Sequence, residues 1–146
     1  MPLANYTTKV PVSRSLQLIQ ELLVRAGAQS ILTDFEQGEA AAISFRIQRG
    51  ERSLGIRLPG NWRGVLQVMT KDPKVPRSLK RTDQAKRVAW RTVHDWLRAQ
   101  LAMVEVGNAS MEQVMLSYVV APSGETLYER LEREEFYQLA LPAARS

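Results

Sequence analysis

The chain has no cysteine, which excludes disulfides, thiolate metal sites and cysteine nucleophiles. It has a single histidine, His94, which excludes His-rich metal sites and argues against a histidine-dependent triad. No apolar run approaches the ~20 residues that a membrane-spanning helix needs. The opening stretch MPLANYTTKV has neither a charged start nor an apolar signal core. No secretion leader is therefore expected, and a cytoplasmic location is. Phosphate-binding and dinucleotide-binding glycine loops are also missing. The segment Gly60-Asn61-Trp62-Arg63-Gly64 lacks the lysine and the strand-loop-helix setting of such a loop. The paired carboxylates Glu134-Glu135 and Glu129/Glu132 fall on a charged segment and read as a solvated face. Asp34 and Glu36 have no ligand spacing. No metal and no cofactor are expected. An enzyme with dispersed acidic residues is the least favoured reading.

What is present is a chain of 146 residues, 45% of them hydrophobic. That is enough for one domain with a real core. The reading takes residues 1–146 as a single domain, with a core over about 5–121 and a charged C-terminal segment over 122–146. The net charge is +5, with a sequence pI of about 9.9. The excess sits in one place. Lys71, Lys74, Arg77, Lys80, Arg81, Lys86 and Arg87 face only Asp72 and Asp83 within that stretch, so it carries the whole +5. Such asymmetry points to a polyanionic partner. Glu125 to Glu135 leans acidic.

Tyr6, Thr7 and Thr8 favour a strand over Asn5 to Val10, interrupted by Pro11. Ser13 or Ser15 can cap a following helix. Leu16, Ile19, Leu22, Leu23 and Ala26 recur at helical spacing, so Arg14 to Ala26 is an amphipathic helix ended by Gly27. Three runs of period two follow: Ile31, Thr33 and Phe35; Ile43, Phe45 and Ile47; Leu54, Ile56 and Leu58. Turns at Gln37-Gly38-Glu39 and Arg49-Gly50-Glu51 join them into an antiparallel meander. Arg46, Gln48 and Arg57 then face away from the core. Asn61 to Thr70 suits either helix or strand. Lys71 to Arg81, with Pro73 and Pro76, reads as a loop. Thr82 caps the longest helix, roughly Asp83 to Val106. Ser110 with Gln113 makes a capping box. Tyr118 to Ala121 reads as a short strand, and Leu127 to Leu139 as a weakly amphipathic charged segment. The expected fold class is α+β: an antiparallel sheet of three to five strands with helices on one face, in the order β-α-β-β-β-α plus a C-terminal helical segment.

At 100° per residue, Arg87, Arg91, His94 and Arg98 share a stripe about 60° wide on the long helix. The opposite arc, centred on Trp96, holds Ala85, Val88, Ala89, Thr92, Val93, Ala99, Gln100, Met103 and Val104. It is expected to be core, as is Trp90. The Trp90, Leu97 and Leu101 flank suits burial under the C-terminal segment or a subunit contact. A basic stripe continuous with a basic loop is an electrostatic footprint for phosphates. The expected function is non-catalytic, largely sequence-independent nucleic-acid binding. Its contacts are Lys71, Lys74, Arg77, Lys80, Arg81, Lys86, Arg87, Arg91, His94 and Arg98. The alternative is a protein–protein or oligomeric structural module, with a homo-oligomer as one form of it.

The order helix, strand, strand, strand, helix, with Lys80, Arg81, Ala85, Lys86 and Ala89, resembles double-stranded RNA-binding domains. Thr82 and Asp83 stand where that family has adjacent lysines, so the likeness is one of topology. The order of three strands followed by a helix is also similar to the core of single-strand annealing proteins. The stretches Asn5-Tyr6-Thr7-Thr8 through Gly27-Ala28, and Gln84 to Arg91 continuing through Asp95 to Ala102, resemble small uncharacterised proteins of phage and mobile-element neighbourhoods.

Overall fold

The computed structural model describes residues 2–134. Helix α1 (Val12–Arg25) precedes strands β1 (Ser30–Glu36), β2 (Glu39–Arg49) and β3 (Arg52–Pro59). Helices α2 (Trp62–Lys71), α3 (Thr82–Glu105), α4 (Met111–Met115) and α5 (Leu127–Arg133) follow, with single 3₁₀ turns at Arg77–Leu79 and Leu116–Tyr118. This is the expected α+β class. The sheet is antiparallel in the order β1-β2-β3. No helix among the described residues is long and apolar enough to cross a membrane.

Alternation builds the sheet. Ile43, Phe45, Ile47, Ile56 and Leu58 are buried on one face, and Arg46, Gln48 and Arg57 are exposed on the other. Gln37 and Gly38 both take positive φ (51° and 79°), the geometry of a tight two-residue hairpin turn. The third inward position of β1 departs from the alternation. A bulge between Asp34 and Phe35 shifts the register, and Phe35 is left 65% exposed.

The inner sheet face packs on Ile19 and Leu23 of α1, Trp90 and Leu97 of α3, and Met111 and Met115 of α4. Gly27, at φ 95°, closes α1. Its N–H reaches the carbonyl of Val24, and that of Ala28 reaches Leu23. A second, smaller cluster joins Met69 of α2, Val75 and Val88, with Leu3, Tyr6, Val65 and Leu79 packed against it. Val88 and Trp90 are about 160° apart around α3. The helix is therefore buried on two sides, by the sheet and α1 on one and by α2 and its following loop on the other.

That double burial corrects the expected helix phase. Trp90 (1% exposed), His94 and Leu97 are core, whereas Trp96 is half-buried at the rim, edge-on to Tyr118 with centroids 5.5 Å apart. Thr92, Ala99 and Met103, expected inside, are exposed. Trp90 and Leu97 of the expected flank are buried in the main core beside α1 and the sheet, and Leu101 packs against them, partly buried.

The expected first strand is absent. Residues 4–7 form turns, with Asn5 at φ 68°. The Gln84 side-chain amide holds this segment by donating to the carbonyls of Tyr6 and Thr8, each at 2.9 Å. Neither serine caps α1, whose N-cap is Pro11, and Thr82 lies inside α3, whose N-cap is Arg81. Asn61 caps α2, and the Ser110–Gln113 box is formed as expected. Around Tyr118 to Ala121 there are only isolated bridges, Ile56 to Val119 and Val120 to Thr126. The charged segment becomes α5; residues 135–139 of the expected span lie outside the described residues.

Candidate functional site

Lys71 ends α2, and the chain then crosses to α3 through residues 72–81. Asp72 accepts the backbone N–H of Lys74 at 2.9 Å, which fixes the first bend. Val75 is buried beside Met69 and Val88, with Leu79 packed on the same cluster. Apolar plugs at Val75 and Leu79, with Pro73 and Pro76 between and beside them, tie the loop to the domain. Lys71, Lys74 and Arg77 are exposed and Lys80 is half-buried. None of the four has a carboxylate within 4.0 Å among the described residues.

The cations of α3 are in a different state. Arg81 and Arg87 both meet Asp83, at 3.5 and 3.3 Å, and Arg87 also donates to Gln84 at 2.9 Å. Arg91 meets Asp95 at 3.4 Å. Lys86 meets Glu39 of the β1–β2 hairpin at 2.9 Å. His94 is only 6% exposed, with Nδ1 at 2.9 Å from Asp95. It is removed from the expected contact set, because a buried ring cannot meet a phosphate. The basic stripe is thus a set of local ion pairs rather than a free cationic face. Arg98 is exposed but lies apart, in a cleft of about 480 Å³ that it shares with Arg25, Arg49 and Leu101. Arg49 there is held by Glu112 at 2.7 Å.

The carboxylates register these pairings. At Asp83, desolvation works to raise the pKa. It is outweighed by the Arg81 charge, the Gln84 N–H and Arg87, and the group stays below its ordinary value. At Asp95, burial likewise opposes ionisation. Hydrogen bonds from His94 and Asn5 and the Arg91 charge outweigh it and hold the carboxyl low. Among the described residues, no three His, Asp or Glu side chains converge as metal ligands.

The structure brings forward two residues that the contact set omitted. β3 ends at Pro59, Gly60 packs against Trp90, and α2 starts at Trp62. This turn sets the half-buried Trp62 at the edge of an open groove of about 610 Å³ beside the β1–β2 hairpin tip. The Arg63 guanidinium lies 4.6 Å from the Trp62 ring centroid, and Lys86 Nζ lies 5.0 Å from it. The available signal was an aromatic–arginine pair directly after a Pro-Gly turn. It is uninformative until the fold brings Lys86 beside it. Of the expected contacts, Lys71 ends α2 and Lys74, Arg77, Lys80 and Arg81 follow it in the loop, whereas Lys86 lies beside Trp62 and Glu39. Comparison with protein-family models, curated proteins and solved structures finds no significant match for this chain.

Proposed function

We propose that the protein binds nucleic acid without catalysis, chiefly through phosphate contacts from the loop over 71–81. The observation that carries this reading is the contrast in pairing. Lys71, Lys74, Arg77 and Lys80 stand together on an anchored loop with no carboxylate partner among the described residues, while Lys86, Arg87 and Arg91 are each neutralised. Unpaired cations on a pre-formed loop are free to displace counterions from phosphates. Ion-paired ones must first give up a partner. Arg81 and Arg87 lie next to the loop and extend the contact once the shared Asp83 turns aside. Phosphate contacts position a duplex or strand without reading its sequence, so little sequence preference is expected. The test is fluorescence anisotropy with labelled single- and double-stranded DNA and RNA at low salt. Binding of at least one supports the reading, and binding of none refutes it.

A second reading, a protein–protein module, rests on β1. It is an edge strand of the sheet, and Leu32 and Phe35 on it are 63% and 65% exposed. An open edge of that kind is a template for another chain. Concentration-dependent mass by light scattering, abolished by Leu32→Lys, supports that reading; a constant monomer mass removes its homo-oligomeric form.

A further inference from the structure

We propose that the groove beside Trp62 receives one unpaired nucleobase, stacked on the indole. This inference rests on the nucleic-acid reading and sharpens it to a preference for strands with exposed bases. The groove of about 610 Å³ falls within the range of small-ligand sites. Trp62 supplies an aromatic plane, half-buried at the first turn of α2. Lys86 lies over the ring at 5.0 Å while paired with Glu39 at 2.9 Å, so its charge is already answered. Arg63 is exposed, has no carboxylate partner among the described residues, and lies at 4.6 Å from the same ring.

The relative strengths favour exchange. An exposed cation–π contact is among the weaker ring contacts, whereas a base stacked on an aromatic side chain is a stronger one. A base therefore displaces the Arg63 guanidinium, which is then free to stack on the outer face of the base or reach its phosphate. Arg57 also lines the groove and is exposed, with the Glu129 carboxylate near enough to feel its charge, and it is a second cation a phosphate can reach. Glu36 among the lining residues disfavours a phosphate in the groove and suits an uncharged base. Lys86 stands one helical turn after Thr82, where the basic loop ends, and a shallow depression lined by Thr82, Asp83, Lys86 and Glu39 adjoins the groove that Lys86 and Glu39 also line.

The test compares a labelled single strand with a strand of equal length made of abasic sites, which keeps the phosphates and removes the bases. Anisotropy is measured for the wild type, Trp62→Ala and Trp62→Phe, each first shown to be folded by circular dichroism. The wild type is expected to bind the base-bearing strand about tenfold more tightly than the abasic one. Trp62→Ala should abolish that ratio and leave the abasic affinity unchanged, and Trp62→Phe should keep most of it. Equal wild-type affinity for the two strands overturns this inference and leaves the phosphate reading standing. Failure of the wild type to bind either strand overturns both. Should Trp62→Ala not fold, the abasic comparison in the wild type and the Trp62→Phe ratio decide the matter.

Discussion

Gly60 lies against the indole of Trp90 so closely that a methyl group on Gly60 would fall 2.6 Å from Cε2 and Cζ2 of that ring. The ring is fully buried and has no room to withdraw. This contact fixes the turn from β3 into α2, and with it the position of Trp62. Gly60→Ala should destabilise the fold by about 1–3 kcal/mol, the usual cost of overpacking a filled core. Denaturant unfolding checks this; an unchanged midpoint would show that the contact is loose.

The two tryptophans of α3 should separate in the same assay. Trp90→Ala removes a fully buried indole from the main core and is expected to cost about 3–5 kcal/mol. Trp96 is half-buried at the rim, and its edge-on contact with Tyr118 contributes modestly. Trp96→Ala should cost about 1–2 kcal/mol. A larger loss for Trp96 than for Trp90 would contradict the packing described.

The rim position of Trp96 departs from the sequence expectation, which put both tryptophans in the core, and the reason is physical. A helical wheel assumes one dry face and one wet face. Here α3 is packed on two sides, so its buried residues fall on two arcs and the charged positions between them are drawn into local ion pairs. The period-two meander was legible, since each strand has one buried face and each turn carries its own glycine. So was α1, with its apolar stripe and Gly27. The N-terminal strand was not, because Gln84, far along the chain, ties down the carbonyls of Tyr6 and Thr8. No local propensity registers such a contact. The basic loop stood out from charge alone. Which of its cations lack a partner required the positions of Glu39, Asp83 and Asp95.

Ser15 Oγ is buried and has no hydrogen-bond partner among the described residues. A buried polar group left unpaired costs about 1–3 kcal/mol. Ser15→Ala removes the hydroxyl with little change in volume and improves local helix propensity. It should raise stability by about 1 kcal/mol in the thermal or chemical unfolding midpoint. Destabilisation instead would mean the hydroxyl has a partner in solution.

Asp95 links His94, Asn5 and Arg91, and its carboxyl is held below the ordinary value of 3.8. A carboxylate whose folded pKa is depressed adds stability above its unfolded pKa and loses it as pH falls through the folded value. Asp95→Asn should therefore cost about 1 kcal/mol at pH 7. The gap from the wild type should close as the pH drops below 3.8. Unfolding midpoints across an acid series check this; a gap that persists at the acid end would assign the loss to packing.

The salt dependence of nucleic-acid affinity tests the central claim most directly. If Lys71, Lys74, Arg77 and Lys80 each neutralise one phosphate of a duplex, log K against log salt should fall with a slope of about −3 to −4. Replacing all four by Gln should flatten that slope towards zero, with stability changed by no more than about 1 kcal/mol, since three of the positions are exposed and only Lys80 is half-buried. Replacing Arg87, Arg91 and Arg98 by Gln should change the slope by about one contact or less, since two of these are already paired. A slope that survives loss of the four loop cations, or that collapses on loss of the three helix arginines, would contradict the account.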